Sequence, residues 1–132
     1  MPDKRVFNAS PLIVLGKVSL LSLLEELCEA IVVPSGVAAE IDRGSLDDAA
    51  RKWMGLQGRS WIKDVGQVHP AISAWDLGSG ESEVLSWACE NPGYEGVVDD
   101  RAARDCAYSM NIAVRGTIGI LLLAKRRVPG CP

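Results

Sequence analysis

The chain is poor in the residues that would place zinc. It has one histidine, His69, and its four cysteines, Cys28, Cys89, Cys106 and Cys131, are too far apart for a CxxC, so a zinc site is not expected. An excess of positive charge is also missing. The net charge is −3, which gives no electrostatic footprint for duplex DNA and argues against architectural binding. An enzyme with an acidic metal site can still be net acidic, so nuclease chemistry is not excluded. The N-terminal MPDKRVFNAS has no secretory apolar region. The longest apolar run, Ile118 to Ala124, is far too short to span a bilayer. A reducing, cytoplasmic setting is the expectation. Repeats, linkers and low-complexity stretches are absent.

What is present is a globular composition, 48% hydrophobic and 23% charged over 132 residues, enough for one domain and one core. Short β-branched runs alternate with helical patterns. Strands are expected at Arg5 to Phe7, Ala30 to Val33, Gly96 to Val98 and Ile112 to Val114, with a weaker one from Trp61 to Val65. Ser10-Pro11 reads as the start of a helix, serine capping and proline in the first turn. Further helices are expected from Ser19 to Glu29, Val37 to Arg43, Leu46 to Met54 capped by Ser45, Gly80 to Glu90, Arg101 to Met110, and from Thr117 to Arg127. Residues 66–76 read as loop, with no role for His69. Cys28, Cys89 and Cys106 read as buried thiols, Cys131 as a free one in the tail. Alternating strands and helices favour a parallel sheet covered on both faces, a three-layer α/β/α sandwich.

Oxygen-bearing side chains fall where these elements meet. Asn8 ends the first strand, Glu40 lies on the helix after the second, Glu81 opens a helix, and Asp99-Asp100 follow a strand. In an open α/β sheet such positions converge on the edge where ligands bind. Carboxylates brought together there repel one another unless a hard cation such as Mg²⁺ or Mn²⁺ neutralises them. Each residue has a plainer reading: Asn8 as a turn, Glu40 as a solvated helix glutamate, Glu81 as a first-turn acid favoured by the helix dipole, Asp99 and Asp100 as caps. Glu81 and Glu83, two apart on a helix, point about 200° from each other, so only one can face a shared ion. Val84, Leu85 and Ala88 mark the Glu81 stripe as inward. Ser10 and Thr117, each at a helix start, offer hydroxyls and backbone N–H groups to a phosphate, although capping explains both. Lys125-Arg126-Arg127 suits the end of its helix and could touch an RNA backbone. Trp53, Trp61, Trp75 and Trp87 read as core or partner anchors.

The chain resembles a PIN-domain protein. The resemblance is carried by Asn8-Ala9-Ser10-Pro11-Leu12-Ile13, Val37-Ala38-Ala39-Glu40-Ile41, Leu77-Gly78-Ser79-Gly80-Glu81-Ser82-Glu83, Val98-Asp99-Asp100-Arg101-Ala102-Ala103-Arg104 and Gly116-Thr117-Ile118-Gly119-Ile120-Leu121, in that order over nearly the whole chain. It is strongest to the uncharacterised prokaryotic branch related to toxin ribonucleases of toxin–antitoxin pairs. The resemblance implies a central parallel sheet of about five strands and a Mg²⁺- or Mn²⁺-dependent endoribonuclease cleaving single-stranded RNA. It also implies a homodimer and, in many cases, an antitoxin partner. By motif position the metal ligands are Asn8, Glu40, Glu81 and Asp99, with Asp100 in reserve; Ser10 and Thr117 orient the site or the scissile phosphate. Two departures stand out. The family's first acid is Asp, and Asn8 replaces it, which weakens metal binding and impairs catalysis. The chain ends at Cys131-Pro132 where such proteins continue with more helix, so residues 1–132 are expected to form one domain short of a packing element. The alternative is a catalytically inactive PIN-like binding or regulatory module. A small-molecule phosphohydrolase rests on sheet-edge geometry alone.

Overall fold

The computed structural model describes residues 3–127, and the Cys131 expectation lies outside them. Five strands form one all-parallel sheet in the order β3-β2-β1-β4-β5: β1 (Lys4–Phe7), β2 (Ala30–Pro34), β3 (Ile62–Lys63), β4 (Tyr94–Val97) and β5 (Val114–Arg115). Helices α1 (Ala9–Lys17), α2 (Leu24–Leu27), α3 (Ser35–Asp42), α4 (Ala49–Gly55), α5 (Pro70–Ser73), α6 (Ser79–Glu90), α7 (Arg101–Ser109) and α8 (Thr117–Arg127) make the connections. The three-layer α/β/α architecture is as expected. Helix α6 lies across β1, β2 and β4 with α5 and α7 beside it, while α8 packs on α1 and α2.

Burial explains this arrangement. Val6, Phe7, Val33, Val97 and Val98 are fully buried, as strands covered on both faces require. Leu12, Leu15, Val37, Ile41, Val84, Leu85, Ala103, Cys106 and Ile120 close over them from the helices. From β1 the chain turns one way to β2 and β3 and later the other way to β4 and β5. The switch point therefore lies between the C-terminal ends of β1 and β4, the crevice where ligands bind in sheets of this kind. Asn8 and Asp99 are the residues that leave those ends. The Asn8 N–H donates to Val97 O at 3.0 Å and the Val98 N–H to Arg115 O at 3.0 Å, which fixes the edge.

Several local expectations need correction. Helix α1 starts at Ala9, with Asn8 in the capping position and Ser10 already in the first turn, so Ser10 is not the cap. The expected helix from Ser19 to Glu29 is broken into a 3-10 turn, Leu21–Leu23, and the single turn α2. Ser19, at φ +61°, has left the helical region before it begins. Ser45 does not cap the next helix: α4 begins at Ala49, where Asp48 Oδ2 accepts from the Arg51 N–H at 3.2 Å. Residues 66–76 contain α5, with Pro70 in its first turn. His69 has a role after all, its Nδ1 accepting from the Ala71 N–H at 3.1 Å.

The sheet also carries a buried charge cluster that was not anticipated. Arg5 and Glu95 are register partners on β1 and β4, and only 1% and 5% exposed. Arg5 Nε donates to Glu95 Oε1 at 3.1 Å, and Arg115 Nε donates to the same oxygen at 2.8 Å. Arg5 Nη1 donates to Leu27 O at 2.7 Å and to Cys28 Sγ at 3.3 Å. Burial alone would lower the Arg5 pKa, but Cys28 and Glu95 hold it above the usual value. Burial pushes the Cys28 thiol up, partly offset by Arg5. Cys28 thus sits against a guanidinium rather than in a purely apolar pocket.

Candidate metal and phosphate site

Two of the four expected ligands, Asn8 and Glu81, touch, and a third, Glu40, comes near Asn8. Asn8, 3% exposed, donates from Nδ2 to Glu81 Oε2 at 2.7 Å. A carboxylate only accepts, so this bond fixes which end of the amide faces Glu81. The Asn8 carbonyl oxygen Oδ1 is consequently turned away, buried, and without a hydrogen-bond partner. Gly80 leaves the space in front of it. A methyl group at Gly80 would stand 2.8 Å from Asn8 Oδ1 and 3.4 Å from Glu40 Oε1, so the amide oxygen and the Glu40 carboxylate face the same opening. Glu40 itself is solvent-exposed on α3. Its outward side borders a hollow of about 560 Å³ that also touches Ile13, Lys17 and Asp48.

Glu81 and Glu83 diverge as helical geometry demands. Val84, Leu85 and Ala88 are buried behind Glu81. Glu83 turns the other way, and its Oε1 accepts from the Gly36 N–H in the first turn of α3 at 3.1 Å. Desolvation raises the Glu83 pKa; the Gly36 N–H pulls it down and Asp64 pushes it up. This glutamate closes a helix N-terminus, a role that its sequence position does not advertise.

Asp99 is brought to the same sheet edge but is engaged differently. Its Oδ1 accepts from the Thr117 N–H at 2.7 Å and its Oδ2 from the Thr117 hydroxyl at 2.5 Å. Thr117 is buried, so its hydroxyl serves Asp99 and the start of α8. Asp100 is the cap of α7, accepting from the Ala103 N–H at 3.0 Å. Ser10 is exposed on the first turn of α1. Among the described residues no three acidic, histidine or cysteine side chains gather closely enough to hold a metal ion by themselves.

The residues fit a hard divalent cation in part. Magnesium and manganese take carboxylate and amide oxygens. The orphaned Asn8 carbonyl is an acceptor, and an unmet buried acceptor costs free energy. Against this, the Asn8 amide already occupies one Glu81 oxygen, and a neutral oxygen binds more weakly than the carboxylate it replaces. The donor set is that of a weak site.

A PIN-domain family model matches residues 4–128. The chain belongs to the PIN-domain family. Its sheet order thereby finds one explanation: a nuclease-type fold. No curated protein matches the chain. No helix among the described residues of this PIN domain is long and apolar enough to cross a membrane.

Proposed function

We propose that this PIN domain is a metal-dependent endoribonuclease acting on single-stranded RNA, toxin-like in kind and impaired by Asn8. Glu40, Glu81 and the Asn8 carbonyl, with Asp99 from the next strand, would hold Mg²⁺ or Mn²⁺. When bound, the ion supplies positive charge at the scissile phosphate and an activated water. Glu81 is held in place because Asn8 donates to it. Thr117 fixes both Asp99 oxygens, so the carboxylate enters the site preorganised. Ser10 stands exposed on the first turn of α1, where its hydroxyl would be offered to a phosphate. The observation that carries the reading is the buried, partnerless Asn8 oxygen facing Glu40 across Gly80.

The test is cleavage of a labelled single-stranded RNA with Mn²⁺ by the parent, Asp99→Asn and Asn8→Asp. Weak cleavage by the parent, less by Asp99→Asn and more by Asn8→Asp is expected. No loss in the first variant and no gain in the second overturns the ligand assignment.

A second reading is favoured by the Asn8–Glu81 hydrogen bond, which joins the site without any ion. On that reading the domain is an inactive binding or regulatory module. Calorimetric titration separates the two, since a module shows no Mn²⁺ binding at millimolar concentration. A cytoplasmic setting, a homodimer and an antitoxin partner belong to the toxin-like reading. The exposed apolar residues Val14 on α1 and Val18 just past its end, and Ile118 and Leu122 on the adjacent α8, suit a homodimer face. Sedimentation velocity tests this: a monomer at micromolar concentration removes the dimer.

A further inference from the structure

Asp99 stands between two shallow hollows. One, of about 360 Å³, is lined by Asp99, Arg101, Arg104, Asp105 and Tyr108; the other, of about 420 Å³, lies on the far side of the same Asp99 and Arg104, against Arg115 and Gly116. Arg104 is the wall they share. A methyl group at Gly116 would lie 3.0 Å from Arg104 Nη1 and 3.0 Å from Asp99 Oδ1. The guanidinium and the Asp99 carboxylate therefore approach the same small space beside Gly116.

Arg104 Nη2 donates to the Tyr108 hydroxyl at 3.3 Å, one helical turn along α7. Among the described residues this is its one bond, so most of the five guanidinium donors remain available. Tyr108 is 58% exposed and takes no part in the packed core. An exposed tyrosine bonded to an arginine outside the core is not explained by burial. Aromatic faces of this kind stack unpaired bases, and an adjacent guanidinium pairs with phosphate.

We propose that Tyr108 and Arg104 form the platform on which a single RNA strand enters the site, one base stacked on Tyr108 and the next phosphate on Arg104, beside Asp99. This rests on the RNA reading above and names the residues that select a single strand. Duplex bases are already stacked and cannot use the ring. The hollow beside Tyr108 offers Arg101 and Arg104 to phosphates, against Asp99 and Asp105, so binding is short and weakly salt-dependent. A protein partner could also use an exposed Tyr and Arg, but the position next to Asp99 favours the strand.

The experiment is fluorescence anisotropy of a 5′-labelled ten-nucleotide single-stranded RNA, in EDTA so that cleavage cannot intervene. Tyr108→Ala is expected to weaken binding by about tenfold or more, and Tyr108→Phe, which keeps the ring, by no more than about twofold. Arg104→Gln should reduce the slope of log K against log salt by about 0.7, the loss of one single-strand phosphate contact. Both residues are on the surface, and unchanged melting temperatures confirm folding. Parent-like affinity for Tyr108→Ala, or an unchanged salt slope for Arg104→Gln, overturns the platform while leaving the nuclease reading to the Mn²⁺ cleavage assay. A parent that binds through Tyr108 yet does not cleave keeps the platform and refutes catalysis. A parent that binds no single strand removes the platform and leaves the nuclease reading to the Mn²⁺ cleavage assay.

Discussion

Asn8→Asp changes one atom group and tests the centre of the site. It replaces the donor on Glu81 with an oxygen at about the same place, 2.7 Å from Glu81 Oε2. The lost charge-assisted hydrogen bond is worth roughly 1.5–3 kcal/mol. Two unit charges at that separation repel by about 6 kcal/mol at an effective dielectric constant of about 20. The pair escapes most of this by holding a proton between its oxygens, which restores a donor. For a carboxyl of ordinary pKa near 4, holding that proton at pH 7 costs about 4 kcal/mol, and side-chain movement lowers the figure further. The expected penalty without metal is therefore about 2–4 kcal/mol, a fall of roughly 10 °C in Tm for a chain of this length. Near pH 5 the proton is cheaper to hold by about 3 kcal/mol, and most of the penalty disappears. A divalent cation does the proton's work, so Mn²⁺ at a hundred times its Kd returns about 2.7 kcal/mol. The assay is thermal melting of parent and variant in EDTA at pH 5 and pH 7, and with Mn²⁺. If Asn8→Asp melts with the parent in EDTA at pH 7, or is unmoved by Mn²⁺, the two side chains do not share a site as described.

Three other perturbations follow from the same geometry. Glu95→Ala removes the carboxylate that Arg5 and Arg115 share and should cost about 3–5 kcal/mol, read as a lower urea midpoint. Gly80→Ala places a methyl 2.8 Å from the buried Asn8 Oδ1, so the Asn8 amide must shift; we expect a lower Tm and loss of Mn²⁺ binding in titration. Glu83 has a raised pKa in the fold, so the native state binds its proton more readily than the unfolded chain does. Its contribution is favourable in acid and is lost as pH rises through the raised value. Glu83→Gln should flatten stability against pH in that window, measured by urea unfolding from pH 4 to pH 7; an unchanged profile contradicts the assignment.

The strand-and-helix alternation was legible because each buried strand is a short apolar run bounded by a polar switch. Asn8 and Asp99 could be placed at the sheet edge for the same reason. The choice of Glu81 over Glu83 rests on helical periodicity; the fold half-buries both, Glu81 against Asn8 and Glu83 against the first turn of α3. What could not be read was which partner each polar group would take. Ser10 and Ser45 look like caps because serine caps in general, but Asn8 and Asp48 occupy those positions. The Arg5–Glu95–Arg115 cluster needs strand order and register, both set by packing across the chain. Opposite charges inside two otherwise buried strands, KRVF and YEGV, were its faint signal. The Asp99–Thr117 pair is similar: each residue explains itself locally as a cap, and only the fold joins them.

The central claim is that Asn8, Glu40 and Glu81 line one pocket for a divalent cation. Titration of Mn²⁺ followed by the electron paramagnetic resonance of the free ion tests it directly. The account predicts a single weak site in the millimolar range, lost in Glu81→Gln and tightened in Asn8→Asp. An absence of binding at millimolar Mn²⁺, or binding that neither substitution alters, contradicts it.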